Sequence, residues 1–88
     1  MAQQAKLQDE ERHVQAAVNG DQESFALLYD AHIDGIFRFI YFRVEDRETA
    51  EDIAADVFLK AWESIPRYKA TGAPFRAWLY RIARNAVT

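Results

Sequence analysis

The sequence contains no cysteine, two prolines and three glycines in 88 residues. Without cysteine there is no disulfide framework, no thiol nucleophile and no cysteine-built zinc site. No apolar run approaches the roughly 18 residues that a membrane-spanning helix requires. The polar start from Met1 to Glu11 lacks the apolar centre of a signal peptide. Histidine is scarce as well: His13 and His32 stand far apart, and neither falls in a metal-ligand spacing such as HExxH. His32, on an apolar helix face, is expected to be a partly buried histidine with a hydrogen-bond partner. Asp52 and Asp56 share one helix face but have no third ligand in sequence, so they read as an acidic stripe. No histidine is placed in sequence to activate Ser24, and no glycine-rich loop precedes a helix to cradle a phosphate. Neither a catalytic site nor a bound cofactor or metal is expected. The chain reads as a soluble, cytoplasmic single domain. Its hydrophobic half supports a modest core, burying roughly 60–65% of the unfolded surface.

Acid is missing from one part of the chain altogether. Residues 1–63 carry all 14 acids against six bases, a net −8, while residues 64–88 carry Arg67, Lys69, Arg76, Arg81 and Arg84 and no acid, a net +5. The overall charge of −3 averages over two surfaces suited to different partners.

The few glycines and prolines fall where helices should stop. A first helix is expected from about Leu7 to Val18, with Asn19-Gly20 as its stop. Its thin apolar content (Leu7, Val14, Ala17, Val18) predicts loose packing. Asp21 is the expected N-cap of a second helix, with Glu23 in its first turn. In that helix Phe25, Leu28, Tyr29, Ile36, Phe39 and Ile40 recur at helical spacing, and Phe37, Tyr41 and Val44 widen the stripe. Gly35 interrupts it at a cost of about 1 kcal/mol relative to alanine, which points to a close helix approach or a slight kink.

Asp46 is placed to cap a third helix, with Glu48, Glu51 and Asp52 in its first turns. Ala50, Ile53, Ala54, Val57, Phe58, Ala61, Trp62 and Ile65 form one unbroken apolar face. Glu48, Asp52, Asp56 and Glu63 lie opposite. Pro66 ends this helix, Arg67 to Ala73 forms a loop with Thr71-Gly72 as its turn, and Pro74 opens a fourth helix. There Phe75, Trp78, Leu79, Ile82, Ala83 and Ala86 make the inner face, and Arg76, Tyr80, Arg81 and Arg84 the outer one. With no strand pattern or repeat, the expected architecture is all-α, a compact bundle of about four helices.

Arg67-Tyr68-Lys69 puts an aromatic ring between two cations, and Arg76, Tyr80, Arg81, Arg84 and Asn85 extend the set along the fourth helix. Cations neutralise phosphates, rings stack on unpaired bases, and an asparagine amide suits a base edge. The combination fits partly single-stranded DNA. The alternative is a helical protein–protein interaction adaptor on which the basic face is incidental.

Ala50-Glu51-Asp52-Ile53, then Asp56-Val57-Phe58-Leu59-Lys60-Ala61-Trp62, then Trp78-Leu79-Tyr80-Arg81-Ile82-Ala83-Arg84-Asn85 together resemble domain 2 (regions 2.1–2.4) of the extracytoplasmic-function, or group IV, sigma factors of bacterial RNA polymerase. The likeness covers residues 21–88. Residues 1–20 form a weakly specified N-terminal helix without family signal. The resemblance implies a domain that docks on the β′ clamp helices of core RNA polymerase and recognises and melts the promoter −10 element. It assigns Asp52, Ala55, Asp56, Phe58 and Lys60 to the polymerase contact. Arg67, Tyr68, Lys69, Arg76, Tyr80, Arg81, Arg84 and Asn85 fall to the non-template strand, with Tyr68 and Asn85 on a flipped base and the arginines on phosphates. An anti-sigma factor is a further implied partner. Domain 4, the reader of the −35 element, is expected to be absent, as in an excised domain. Ala55 and Asp56 stand where the family usually has glutamine and glutamate, which removes an amide from the clamp contact.

Overall fold

The first turn of the fold is set by Gly20. Its backbone takes φ of 97°, a left-handed conformation that glycine adopts without steric cost. This lets the Asp21 N–H reach back to the Ala16 carbonyl (3.0 Å) and the Gly20 N–H to Ala17 (2.9 Å). Carbonyls left open at the end of α1 (Ala2–Val18) are thereby satisfied. The structure, a computed structural model, describes residues 2–70 and 73–88, with side chains described from Asp9 onward. The expected turn at Thr71-Gly72 and the packing of Leu7 lie outside the described residues.

Three further α-helices follow: α2 (Gln22–Val44), α3 (Arg47–Ser64) and α4 (Phe75–Ala86), with a single 3-10 turn at Ile65–Arg67. Among the described residues there is no strand, so the all-α expectation holds. No helix among them is long and apolar enough to cross a membrane.

The caps follow the sequence signals. Asp46 accepts from the Thr49 N–H (2.9 Å) and from its hydroxyl (2.6 Å), and these bonds hold its carboxyl below the ordinary value of 3.8. Asp21 caps α2 less directly, accepting from the Ser24 hydroxyl at 2.5 Å. Pro66 does not break the chain direction outright. The helix tightens around it into the 3-10 turn before extending at Tyr68. Pro74 sits at the cap of α4, one residue earlier than expected.

α2 and α3 lie antiparallel, with Phe25 edge-on to Trp62 (5.1 Å between ring centres) and Tyr29 edge-on to Phe58 (4.8 Å). Leu28, Ile36 and Ile40 of α2, Val57 of α3, Ile65 and Leu79 of α4 are the largest fully buried side chains. Each contributes about 1.5–3 kcal/mol through removal from water. The expectation that α1 packs loosely is corrected over its second half. Val14 and Ala17 are core residues, and the Glu10 carboxylate meets the His32 ring nitrogen at 2.5 Å. Two small apolar side chains suffice because α1 rests on both α2 and the 3-10 turn. His32 is partly buried and partnered, as expected, with its ring tilted against Phe75.

Gly35 marks the crossing of α2 and α4. A Cβ there would stand 2.5 Å from the hydroxyl oxygen of Tyr80, well inside van der Waals contact, so the sequence reading of a close approach is correct. Gly35→Ala is expected to lower stability by about 1–2 kcal/mol, because overpacking outweighs the gain in helix propensity. In a Tyr80→Phe background the same substitution should be neutral or stabilising. Urea denaturation of the four forms measures the coupling, and independent, additive effects would contradict the contact.

Candidate nucleic-acid interface

α4 is a two-sided helix. Phe75, Leu79 and Ala83 are buried, and Trp78, Ile82 and Ala86 are half-buried beside them. The opposite side carries Arg76, Tyr80 and Arg84 at intervals of one turn, with Arg81 and Asn85 along the next ridge. All three arginines and Asn85 are exposed, as are Arg67 and Lys69 at the preceding turn. Among the described residues, the ion pairs are His32–Glu10, Arg47–Glu51 and Lys60–Asp56. None involves the five cations of residues 64–88, so their field faces solvent unneutralised and attracts polyanions.

One aromatic assignment needs correction. Tyr68 does not lie open between its cations; it is buried, with 9% of its surface exposed. Its ring stands edge-on to Trp78 (5.2 Å) and Phe75 (6.0 Å), and its hydroxyl donates to the Ala73 carbonyl at 3.2 Å. Burial, with Glu10 and Glu11 adding, holds the phenol above its ordinary value of 10.0, so it remains a neutral donor. The physical reason is that a ring at this position closes the cluster under the start of α4. Exposing it would uncover Phe75 and Trp78 together. Tyr80 is half-buried: its ring meets Phe39 edge-on at 5.4 Å and carries the Arg76 guanidinium at 4.6 Å.

The structure therefore separates Tyr68 from Asn85. They belong to opposite ends of α4, and the ten residues from Phe75 to Asn85 span about 15 Å of helix. Asn85 instead opens onto a groove of about 260 Å³ shared with Ile82 and Ala86 and with Lys60, Glu63 and Ser64 at the end of α3. A separate cleft of about 440 Å³ lies between Glu10, Glu11 and Val14 of α1 and Tyr68, Ala73 and Phe75. Its acidic lip is unsuited to phosphate.

The second face is formed by α3. Asp52, Ala55, Asp56 and Lys60 are exposed as expected, with Lys60 and Asp56 paired at 3.0 Å. Phe58 is buried against Tyr29 and belongs to the core, as its place on the apolar face predicts, so its assignment to the polymerase contact is corrected. The exposed apolar residue on this side of the helix is Leu59, 56% exposed, which sequence reasoning passed over. It lies one turn beyond Ala55, and that spacing was the available signal. Ala55 also borders a groove of about 310 Å³ with Ala54, Tyr29, Ile33 and Phe37. Asp34, Arg47 and Glu51 line it as well, so the groove is mixed in character, and Ala55 brings no amide to it.

The helical frame that carries these two faces is matched by known proteins. The sequence profile described as Sigma-70 region 2 fits residues 28–88. The chain belongs to the Sigma-70 region 2 family. It is 42% identical over 74 residues to the ECF RNA polymerase sigma factor BldN of Streptomyces coelicolor, covering 84% of this chain and 28% of that protein. It is 34% identical to the ECF RNA polymerase sigma factor SigW of Bacillus subtilis, covering 84% of this chain and 39% of that one. Among solved structures, an RsbN–BldN complex matches with a TM-score of 0.80 and 43% identity, covering 84% of this chain and 54% of the matched chain. The chain thus spans 28% and 39% of the length of these two curated relatives. Their sequence likeness and the fold likeness agree over the same share of the chain.

Tyr68 then has a testable structural role in this sigma region 2 fold. Tyr68→Phe is expected to cost about 1 kcal/mol through the lost bond to Ala73. Tyr68→Ala should cost about 3–5 kcal/mol through the cavity left beneath α4. Urea denaturation distinguishes them, and an alanine variant as stable as the parent would refute the anchoring role.

Proposed function

We propose that this chain is the −10-reading part of an alternative sigma factor, binding core RNA polymerase through α3 and promoter DNA through α4 and the turn before it. The observation that carries the reading is the placement of five cations, unpaired among the described residues, on the outer surface of α4 and its preceding turn, while the exposed carboxylates of α3 form a separate face. In this reading Asp52, Ala55, Asp56, Leu59 and Lys60 meet the β′ clamp helices. Arg67, Lys69, Arg76, Arg81 and Arg84 hold phosphates of the non-template strand. Tyr68 holds the loop against α4 and takes no base. Asn85 supplies the amide for a base edge, beside a groove that an unstacked base can enter.

The work done is binding, not bond chemistry. Unstacking a base costs a few kcal/mol, which phosphate contacts and a new base contact offset. The protein acts in the bacterial cytoplasm, as a non-enzymatic partner of polymerase. The solved BldN relative is bound to RsbN. By that likeness this chain has a protein partner of its own, an anti-sigma factor that competes for its working faces.

Charge reversal at Asp52 and Asp56 together is expected to abolish saturable one-to-one binding to an isolated β′ clamp-helix fragment, read by calorimetry at moderate salt. Arg81→Ala with Arg84→Ala should leave that binding intact. Equal binding by the charge-reversed form would remove Asp52 and Asp56 from the contact, and no binding by the folded wild-type chain would favour the adaptor reading, in which the basic face is incidental.

A further inference from the structure

Among the described residues Phe42 is the most exposed of the large apolar side chains, with 72% of its surface open, and the polymerase and DNA faces described above leave it unused. It shares a helix face with Gly35 and Phe39, seven and three residues before it, and so lies on the side of α2 that α4 crosses. Arg38 is one turn before it and exposed, and Arg43 is next in sequence. The Arg43 guanidinium lies 3.6 Å from the centre of the Phe39 ring and donates to the Phe39 carbonyl at 2.9 Å. Phe39 in turn meets Tyr80 edge-on, and Tyr80 carries Arg76. A continuous run of contacts leads from α2 to α4, with the ring pair Phe39–Tyr80 at its centre and Arg43 and Arg76 at its two ends. Neither Arg38 nor Arg43 pairs with a carboxylate among the described residues. The acids nearest in sequence, Asp34 one turn before Arg38 and Glu45 at the end of α2, are both exposed.

We infer that this cation–aromatic ladder continues the DNA surface from α4 onto α2, with Phe42 stacking on a base of single-stranded DNA and Arg38 and Arg43 holding the adjoining phosphates. The inference rests on the DNA-reading half of the proposed function and extends it to residues outside α4. A single strand is the occupant that the chemistry selects. A water-exposed ring flanked by unpaired guanidinium groups offers a base its face and the backbone its counterions at once. An acidic helix would satisfy the arginines but leave the ring without a flat partner. The part of the chain that is acidic overall thus contributes cations where they adjoin the basic block.

The test measures binding of the full chain to a fluorescent mixed-sequence single-stranded DNA and to the same strand with abasic sites, by anisotropy across a salt series. Phe42→Ala should weaken binding to the base-bearing strand by about 5–10-fold and leave the abasic strand unaffected. Phe42→Trp should retain the affinity. Arg38→Ala should weaken both strands and flatten the salt dependence. Unchanged affinity in Phe42→Ala and Arg38→Ala, while Arg81→Ala with Arg84→Ala weakens binding, overturns the ladder and leaves the α4 reading standing. Phe42 then serves a protein partner. A wild-type chain that binds neither strand overturns the ladder and the DNA-reading half of the proposed function together.

Discussion

Everything outward-facing on this domain depends on the burial of one stripe on α4. Phe75, Leu79 and Ala83 are inside, and an α-helix that commits those positions has no freedom about where Arg76, Arg81, Arg84 and Asn85 point. The arginines hold their places through the packing of residues beside them, since exposed cations gain little from local contacts in water. Three contacts fix the helix in rotation and position. Tyr68 wedges beneath its first turns, His32 tilts against Phe75, and Tyr80 lies over Gly35 where a larger residue would collide. Under the proposed function a rigid α4 matters, because its surface then competes with base stacking. Any energy lost in ordering the protein on binding would be missing from strand separation.

The division of charge is the second constraint. Acids on α3 and cations on α4 are carried by neighbouring helices packed directly on each other, yet no bond among the described ion pairs joins the two sets. The two pairs on α3 are local, one turn apart and exposed, so they stabilise little. Keeping the sets unpaired preserves two fields of opposite sign on a domain of about 10 kDa. One suits a basic partner surface and the other a polyanion. Residues whose charges cancelled across the helix interface would make a slightly more stable domain and a poorer binder of both.

Much of this was legible in the sequence because the signals were local. Asn19-Gly20, Asp46 and Pro74 each act within one turn of chain, and the helix ends beside them follow from that. The unbroken apolar period of α3 and the two faces of α4 rest on spacing alone. Gly35 was readable as a close approach, though its partner Tyr80 was not, since only the fold brings positions so far apart in sequence together. The errors have the opposite character. Tyr68 looked like a surface residue by its polar neighbours, and Phe58, which spacing put on the apolar face of α3, was assigned to a contact by family position, but packing claimed both rings. α1 looked too poor in apolar residues to dock, yet two small side chains between α2 and the 3-10 turn were enough. Phe42 was missed because α2 is apolar around most of its circumference, which hides which ring is left uncovered.

The central claim is that Asn85, presented by the rigid outer face of α4, reads an unpaired base. The most direct measurement is the affinity of core polymerase carrying this chain for a promoter fork whose non-template −10 bases are replaced singly by abasic sites. The account predicts one position at which losing the base costs about 10-fold with the wild-type chain and nothing with Asn85→Ala. Equal losses in the two proteins at every position would contradict it.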